Sequence, residues 1–253
     1  METFKITKIK DSVRENTEDI VIEEVPFTLI IDDKELVTLL CTPLDLEDLV
    51  RGFLFTSGLI KKTQDIKRIL INQQRWTANI DLGQADTNLV FKRLYTSGCG
   101  KGTLFYNAFD LINRTKIASD FKIESQKISA LMTDFQKESE IYLKTGGTHS
   151  AALADDKRIL IFKEDIGRHN AIDKVIGSRL KEGGLFENMI MITSGRLSSE
   201  IIFKAQKCSI PILVSRGAPT NQAIKLARDM GITLIGFARG NRMNVYSAEE
   251  RVN

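Results

Sequence analysis

The spacing of apolar residues divides the chain into a strand-rich first part and a second part in which strands and helices alternate. Short apolar runs bounded by turn residues predict strands in the first part. These runs are Ile20–Glu24, Phe27–Ile31, Glu35–Cys41, Ile66–Ile71, Trp76–Leu82 and Leu89–Leu94. Asp32 and Asp33 lie between two of the runs and predict a turn.

One helix interrupts the predicted strands. Apolar residues recur there at the three- and four-residue spacing of an amphipathic helix, namely Leu46, Leu49, Val50, Phe53 and Leu54. Asp45 comes immediately before this run, and Asp48 lies three residues after Asp45. Because a side-chain oxygen at the N-cap accepts a hydrogen bond from the free N–H groups of the first turn, Asp45 is the predicted N-cap.

In the second part the apolar period changes repeatedly between that of a helix and that of a strand. Helices are predicted at Leu104–Ile112, Ile128–Leu143, Asn170–Leu180, Ser198–Lys207 and Thr220–Met230. Strands are predicted at Ile159–Phe162, Met189–Thr193, Ile212–Ser215 and Thr233–Phe237. This alternation predicts an α/β (α+β) fold whose mixed sheet carries helices on both faces. The predicted units are a strand-rich part at 1–95, a cysteine-bearing loop at 96–103 and an α/β domain at 104–253.

The composition agrees with a folded protein that works in the cytoplasm. Of the 253 residues, 42% are hydrophobic and 27% are charged, which is typical of globular chains. No apolar run is long enough to cross a membrane, and the first residues lack the apolar region of a signal peptide. We therefore predict neither a membrane span nor secretion, and we expect a cytoplasmic location.

Cysteine and histidine are scarce. The three cysteines are an odd number at wide spacing, which fits neither a disulfide framework nor a CxxC zinc site. Cys41 ends an apolar strand and Cys208 lies near the end of a helix with an apolar face, so both are predicted to pack in the core. His149 and His169 are the only histidines. We therefore expect the protein to hold no metal ion of its own.

The third cysteine, Cys99, lies in the glycine-rich stretch Tyr95-Thr-Ser-Gly-Cys-Gly-Lys-Gly102. Backbone N–H groups exposed by the glycines, together with the charge of Lys101, favour the nucleophilic thiolate and would also stabilise a persulfide anion. The alternative is a tight turn that contains a cysteine by coincidence. The residues alone leave both interpretations open.

Arginine occurs in every segment that follows a predicted strand of the α/β domain. The stretch from Arg196 to Arg251 also holds nine Lys and Arg against four Asp and Glu. Ligand crevices of open α/β sheets lie at the carboxyl ends of the strands, and arginine binds phosphate through paired hydrogen bonds. We therefore predict a site for a phosphorylated or nucleotide-like ligand at Arg196, Arg216, Arg239 and Arg242. Scattered surface arginines are the alternative, and nucleic acid is not predicted, because the few aromatic residues follow no stacking pattern.

Two further segments combine glycine, histidine and charge. Thr145–Leu153 predicts a helix N-terminus suited to phosphate or to a sulfur anion, and the alternative is an ordinary capped helix that begins at Thr148. Glu164–Asp173 carries both signs of charge, which surface salt bridges would explain. His149 and His169 each fall in a glycine-bearing loop beside a predicted helix start.

These groups, in this order, resemble the FdhD family of formate dehydrogenase accessory proteins. The motifs that carry the resemblance are Gly52-Phe-Leu, Ser97-Gly-Cys-Gly, Thr145-Gly-Gly-Thr-His, Glu164-Asp-Ile-Gly-Arg-His-Asn-Ala-Ile-Asp-Lys, Thr193-Ser-Gly-Arg and Phe237-Ala-Arg-Gly-Asn-Arg. The resemblance extends over nearly the whole chain. It implies that Cys99 receives sulfur as a persulfide from a cysteine desulfurase. It also implies that this sulfur passes to Mo-bis(molybdopterin guanine dinucleotide), or its tungsten counterpart, for formate dehydrogenase.

The resemblance carries three further implications. The residues that match the family's cofactor-binding stretch are Phe237, Ala238, Arg239, Gly240, Asn241 and Arg242. Homodimers and a C-terminal part similar to the cytidine deaminase fold are also implied, although the HxE and PCxxC zinc elements of deaminases are absent. Many relatives carry Cys-Gly-x-Cys-Gly where this chain has Cys99-Gly-Lys-Gly, so a relay between two loop cysteines is not expected here.

The leading hypothesis is that the Cys99 thiolate attacks the terminal sulfur of a desulfurase persulfide, assisted by Lys101. The predicted arginines would hold the phosphates and the guanine nucleotide of the cofactor, and His149 or His169 would handle protons or orient the loop. Two other hypotheses remain open. One is a non-catalytic chaperone that binds and delivers the cofactor, and the other is a thiol-dependent enzyme that acts on a small nucleotide.

Overall fold

The computed structural model describes residues 1–83 and 115–253. The predicted strand Leu89–Leu94, the loop with Cys99 and Lys101, and the predicted helix Leu104–Ile112 lie outside the described residues. The strands of the described residues are β1 (Glu2–Lys10), β2 (Val13–Val21), β3 (Val25–Ile31), β4 (Lys34–Cys41), β5 (Ile66–Asn72), β6 (Thr77–Leu82), β7 (His149–Ala154), β8 (Ile159–Asp165), β9 (Ile190–Thr193), β10 (Ile212–Ser215), β11 (Thr233–Arg239) and β12 (Arg242–Ser247). The helices are α1 (Leu46–Thr56), α2 (Ser125–Glu138), α3 (Glu140–Thr145), α4 (Arg168–Lys181), α5 (Ser199–Lys207) and α6 (Asn221–Met230).

A six-stranded mixed sheet forms the centre of the second part, in the order β12-β11-β10-β9-β7-β8. Strands β9, β10 and β11 run parallel, whereas β7 is antiparallel to both of its neighbours. The carboxyl ends of β8, β9, β10 and β11 therefore reach the same edge of the sheet as the amino end of β7. Strands β9 and β10 are buried along their whole length, as expected of central strands in a sheet covered on both faces.

Helices cover both faces of this sheet, as predicted. Helices α4, α5 and α6 pack on one face, where Ile172 and Ile201 are among the core residues. Helix α2 packs on the other face, where Met132 and Phe135 join the buried side chains of β9 and β10. The predicted α/β (α+β) class with a mixed sheet is confirmed.

The strand-rich first part has a core of its own. The four-stranded sheet β4-β3-β6-β5 packs against α1, with Phe27, Leu29 and Leu49 fully buried between them. The predicted turn at Asp32 and Asp33 is confirmed, because both residues have positive φ between β3 and β4. Strands β1 and β2 form a separate two-stranded sheet. The predicted domain limits at 95 and 103 lie outside the described residues and stay predictions.

Helices α1 and α4 join the two parts at a very close crossing. A Cβ atom at Gly52 would lie 1.8 Å from the carbonyl oxygen of Asp173, and one at Gly177 would lie 1.8 Å from that of Asp48. Only glycine allows the two backbones to approach this closely. The crossing fixes α4, whose first turn reaches the sheet edge where the strand ends meet.

The structure corrects two helix predictions. Residues His149–Ala154 form strand β7, so the helix N-terminus predicted within Thr145–Leu153 is wrong, as is the capped helix from Thr148. All but the first residue of β7 are buried, and a strand covered on both faces shows no alternation of polar and apolar residues. The predicted helix Ile128–Leu143 is two helices, α2 and α3, that meet at Ser139.

The start of α1 and the first strand also differ from the predictions. Helix α1 begins where predicted, but Asp45 makes no capping hydrogen bond, and its φ of 51° is left-handed. Its carboxylate instead lies 2.7 Å from Lys163 Nζ, an ammonium group that also pairs with Asp48. The strand predicted at Ile20–Glu24 is the end of the longer strand β2, which pairs with β1.

Candidate functional site

A crevice opens at the sheet edge where the carboxyl ends of the parallel strands meet the amino end of β7. Its volume is about 400 Å³. Its walls come from α2, from the segment after α3, from β7 and from the segments that follow β8, β9, β10 and β11. The lining residues are Phe135, Ser139, Tyr142, Gly146, Gly147, Thr148, His149, Ser150, Ile166, Ser194, Arg216, Gly217 and Arg239. We call this cavity the arginine crevice.

Two of the predicted arginines meet in the arginine crevice. Arg216 follows β10 and is half-buried, and Arg239 ends β11 and is exposed. Nη2 of Arg239 donates a hydrogen bond to the backbone carbonyl oxygen of Arg216 at 3.4 Å. One such bond leaves most of the five guanidinium N–H donors of Arg239 available. The pair therefore presents two positive charges and several donors to the same cavity, a combination suited to phosphate.

His149 adds a neutral ring to the same wall. Ser194 Oγ accepts the backbone N–H of Ser150 at 3.0 Å and lies 3.1 Å from His149 Nδ1. Which of these two atoms donates the hydrogen bond is set by the tautomer of the imidazole. Burial lowers the pKa of His149 below its usual range, and the charge of Arg168 lowers it further. The ring is therefore neutral at pH 7 and offers an N–H group.

The other predicted arginines lie elsewhere. Arg196 follows β9 but is exposed and does not line the arginine crevice. Asn241 and Arg242, at the tip between β11 and β12, line a second depression of about 660 Å³ against α2. Ser125 and Ser129 are among the other residues of this depression. The structure thus divides the predicted arginine group between two cavities and one open surface.

The remaining residues of the predicted stretch have backbone and packing roles. Ala238 is buried in the core beneath α2, so its side chain faces no cavity. Phe237 has a φ of 53°, a left-handed conformation that is costly for a residue with a side chain. Gly240 also has a positive φ, at the turn into β12. The register of β11 against β12 shifts between Gly236 and Arg239, and this irregularity accompanies the exposure of Arg239.

His169 lies in the first turn of α4, outside the arginine crevice. Burial, and then the charges of Lys204 and Arg168, lower the pKa of His169 to about 2. Nε2 lies 3.2 Å from Glu200 Oε2, in a contact that lacks hydrogen-bond geometry. A ring held neutral this strongly is not suited to exchanging protons near pH 7. Orientation of its surroundings is the role that the geometry supports.

The low pKa of His169 predicts that acid destabilises the protein. The unfolded chain binds a proton at this ring below about pH 6.5, whereas the folded chain does not, so stability falls as pH decreases through that value. Between pH 7.5 and 5.0 this ring accounts for a loss of about 2 kcal/mol. We therefore compare the free energy of unfolding in urea at the two pH values. Between them we expect that free energy to fall by about 2 kcal/mol less in His169→Gln than in the wild type. Equal losses in both proteins would contradict the assignment.

The charges of the Glu164–Asp173 motif are buried, so surface salt bridges do not explain them. The Glu164 carboxylate accepts the backbone N–H groups of Ile141 at 2.9 Å and Tyr142 at 2.8 Å, and the hydroxyl of Thr148 at 2.9 Å. It thereby satisfies free donors in the first turn of α3 and ties that helix to the start of β7. Glu164 therefore fixes one rim of the arginine crevice.

Asp165 and Lys174 form a fully buried ion pair behind the crevice, with 2.6 Å between Lys174 Nζ and Asp165 Oδ2. Asp165 also accepts hydrogen bonds from Thr42, Gly167 and Asn170. Lys174 Nζ donates to the Thr42 hydroxyl at 2.6 Å. One cluster thus connects the end of β4, the end of β8 and the first turns of α4. It positions the segment that carries Arg168 and His169.

Two of the three cysteines are packed away from solvent, as predicted. Cys41 is fully buried and Cys208 is 5% exposed. Burial raises the pKa of Cys41 to about 12, and the charge of Asp165 adds to the effect. Burial likewise raises the pKa of the Cys208 thiol. Since the thiolate is the nucleophile, neither side chain is available for sulfur chemistry near pH 7.

Sequence reasoning missed several crevice residues. Tyr142 lines the cavity from α3, a helix that the sequence pattern does not separate from α2. Ser139, between the two helices, shares a hydrogen bond of 2.9 Å with Ser150 of β7. The change of helix at Ser139 depends on Glu164, which is distant in sequence, so local spacing carries no signal for it. Ser194, in contrast, is part of the Thr193-Ser-Gly-Arg group that the sequence singles out.

The part of the chain that the structure describes, residues 1–83 and 115–253, contains no cluster of three or more His, Cys, Asp or Glu side chains arranged to hold a metal ion. Among the same residues no helix has both the length and the apolar character needed to cross a membrane.

Comparisons with known proteins show the family of this chain. A family model described as the FdhD/NarQ family matches residues 22–253. The chain belongs to the FdhD/NarQ family. Relatives named sulfur carrier protein FdhD include one from Bacillus subtilis (strain 168), 39% identical over 98% of both chains. Another, from Staphylococcus aureus (strain MRSA252), is 38% identical over 98% of this chain and 94% of its own.

A solved structure has the same fold as this chain. It is described as that of a formate dehydrogenase accessory protein from Desulfotalea psychrophila. The two chains superpose with a TM-score of 0.83 at 28% identity, over 100% of this chain and 99% of the other. The likeness therefore extends over the whole length of this chain.

Proposed function

We propose that this protein is a sulfur carrier that serves formate dehydrogenase. In the finer form of the proposal, Cys99 accepts sulfur as a persulfide from a cysteine desulfurase. The sulfur then passes to Mo-bis(molybdopterin guanine dinucleotide), or the tungsten equivalent, as substrate. The relatives named sulfur carrier proteins support the coarser statement. The observation that carries the proposal in this chain is the burial of Cys41 and Cys208, which leaves Cys99 as the cysteine for this chemistry.

The acceptance step needs a nucleophilic thiolate at Cys99. The thiolate attacks the terminal sulfur of the desulfurase persulfide, forming a new S–S bond on Cys99. The S–S bond of the donor breaks, and the donor cysteine leaves as a thiolate. Two electrons stay with the leaving sulfur, and no external oxidant or reductant is required. Lys101 and the glycine N–H groups beside Cys99 would stabilise the persulfide anion.

The arginine crevice is the proposed binding site for the nucleotide part of the cargo. Arg216 and Arg239 supply paired donors for phosphate oxygens, and the neutral ring of His149 lies on the same wall. Gly146 leaves space for a ligand to approach the backbone of the same wall, because nothing lies within 4 Å of the position that a Cβ atom would take there. The second depression, with Asn241 and Arg242, lies on the other side of the β11–β12 tip and extends the possible contact surface.

The proposal predicts where sulfur is acquired. The purified protein is incubated with a cysteine desulfurase and L-cysteine, and intact masses and modified peptides are then measured. We expect a reducible gain of about one sulfur atom on Cys99 in the wild type and none in Cys99→Ser. Cys208→Ser is the matched control, because it removes a buried thiol, and we expect it to acquire sulfur like the wild type.

Two results would contradict the proposal. Sulfur acquired equally by Cys99→Ser would place the acceptor elsewhere. A wild-type protein that gains no sulfur from an authentic desulfurase partner, yet still supports formate dehydrogenase, would favour a non-catalytic chaperone that only binds and delivers the cofactor. A cytoplasmic location is part of the proposal, because desulfurase and enzyme would have to meet the carrier there.

A further inference from the structure

Two aromatic residues line the arginine crevice, and they differ in accessibility. Phe135 is 1% exposed, and its ring centroid lies 5.5 Å from that of Phe162 in the core. Tyr142, on α3, lines the same cavity but is 44% exposed. Among the described lining residues, Tyr142 is therefore the aromatic side chain that a ligand can contact over much of its surface.

The backbone on either side of Tyr142 is held in place. Its N–H group donates to the buried Glu164 carboxylate at 2.8 Å, beside the N–H group of Ile141 at 2.9 Å. Its carbonyl oxygen accepts the N–H group of Gly146 at 2.7 Å, where a left-handed residue ends α3. The ring thus starts from a fixed backbone position, so a ligand that contacts it orders little of the chain.

The lining of the arginine crevice combines aromatic and cationic groups. Helices α2 and α3 bring Phe135 and Tyr142, whereas the ends of β10 and β11 bring Arg216 and Arg239. None of the described lining residues is an aspartate or a glutamate, so no carboxylate of the lining repels an anion. An inorganic phosphate would use only the arginines. A ligand that carries a flat ring as well as phosphates would use both kinds of group.

We propose that Tyr142 is the stacking platform for the guanine base of the cargo, while Arg216 and Arg239 bind its phosphates. The inference rests on the proposed function, which places a guanine nucleotide in the arginine crevice. The crevice volume of about 400 Å³ is within the range of small-ligand sites. Because every base offers a π-face to an aromatic ring, stacking distinguishes a nucleotide from an inorganic anion without selecting one base over another.

Two probes separate the contact with the ring from the contact with the phosphates. Guanosine diphosphate carries both parts, whereas inorganic pyrophosphate carries only the charge. Titration calorimetry measures the dissociation constant of each probe for the full-length protein. We expect Tyr142→Ala to weaken binding of guanosine diphosphate at least about fivefold, because a stacked base contributes that much or more. Its binding of pyrophosphate stays within about twofold of the wild type, since the arginines are intact.

Two variants serve as controls for Tyr142→Ala. Tyr142→Phe keeps the ring, so we expect it to bind guanosine diphosphate within about twofold of the wild type. Leu143→Ala removes a side chain that is 68% exposed on the same helix but outside the crevice lining, and we expect it to leave binding of both probes unchanged. A Leu143→Ala loss as large as that of Tyr142→Ala would overturn the proposal.

The outcomes also separate the stacking role from the proposed nucleotide site. A wild type that binds both probes equally well, or a Tyr142→Ala protein that loses affinity for both alike, would overturn the stacking role and leave the phosphate site intact. A wild type that binds neither probe would contradict the proposed nucleotide site itself.

A fluorescence measurement reports on the ring directly. The chain contains one tryptophan, Trp76, which lies outside the crevice lining and packs in the core of the strand-rich part. In Tyr142→Trp, guanosine diphosphate is expected to quench the added indole on stacking, whereas pyrophosphate does not. The wild type, with Trp76 alone, is expected to show no change beyond that caused by absorption of the nucleotide. Unchanged fluorescence of Tyr142→Trp at saturating guanosine diphosphate would overturn the proposal.

Discussion

Replacing Lys174 by methionine is expected to lower the free energy of unfolding by about 3–5 kcal/mol. The ammonium group and the Asp165 carboxylate are both fully buried, with 2.6 Å between them. Methionine fills much of the same volume but leaves the carboxylate without its counter-charge in a medium of low dielectric constant. The Thr42 hydroxyl also loses its bond to the ammonium group. Urea unfolding measures the change as a lower midpoint at an unchanged slope.

Lys181→Met is the matched control for this experiment. Lys181 lies on the same helix and also pairs with a carboxylate, that of Glu47 at 3.1 Å, but its side chain is 53% exposed. Exposed pairs contribute at most about 1 kcal/mol, so the control is expected to change little. Asp165→Asn is expected to cost at least about 1 kcal/mol less in the Lys174→Met background than in the wild type. Similar losses for Lys174→Met and Lys181→Met would contradict the buried-pair assignment.

The Lys174 pair explains why a motif dense in charge lies beside the site and contributes only the apolar Ile166 to its lining. Asp165 connects β8 to the end of β4 through Thr42, and Asn170 donates to the carbonyl oxygen of Leu40. These contacts orient the first turn of α4. Glu164 does the same for α3 on the opposite rim. The motif therefore acts through position, and the groups that face a ligand come from other segments.

Much of the α/β domain could be predicted, because the spacing of apolar residues within each segment is that of a helix or a strand. The helices at α4, α5 and α6 have apolar faces at helical spacing and begin and end within two residues of the predictions. Strand β10 has the predicted limits Ile212–Ser215. The placement of Arg216 and Arg239 at one edge followed from the rule that parallel strands present their carboxyl ends together.

Other features depend on contacts that no local pattern contains. Strand β7 is buried on both faces and composed largely of small residues, so it shows neither alternation nor the bulk of a typical strand. Strands β1 and β2 expose apolar side chains such as Phe4 and Val13, and cross-strand pairing holds them together where a core is lacking. The burial of Asp165 depends on Lys174 and on Thr42, which is over a hundred residues away. The sequence shows the charges but not their partners.

The structure also narrows the predicted arginine group to a functional subset. Arg216 and Arg239 share one cavity with His149, whereas Arg196 is exposed outside it. The three arginines all lie at the carboxyl ends of strands in the same sheet, so the position of the strand ends does not show which of them line the crevice. The separation arises from the irregular pairing of β11 with β12 and from the contact between Arg239 and the Arg216 carbonyl. This difference makes the cargo site testable with matched variants.

The double variant Arg216→Ala and Arg239→Ala is expected to weaken binding of guanosine diphosphate by at least about 100-fold. Each guanidinium would make charge-assisted hydrogen bonds to phosphate, and such bonds contribute about 1.5–3 kcal/mol each. Isothermal titration calorimetry measures the dissociation constant for the wild type and each variant. Arg196→Ala is the matched control, because it removes the same charge at the end of a neighbouring strand but outside the arginine crevice, and we expect a change within about threefold.

The comparison distinguishes a built site from general attraction of an anion to a basic surface. If charge alone held the nucleotide, Arg196→Ala would weaken binding about as much as either crevice variant, and added salt would weaken all of them alike. If the crevice holds the phosphates, the loss at the half-buried Arg216 persists at high salt, because partly buried pairs are screened less. Binding of the double variant within about twofold of the wild type would place the nucleotide elsewhere. The second depression at Asn241 and Arg242 would then be the next cavity to test.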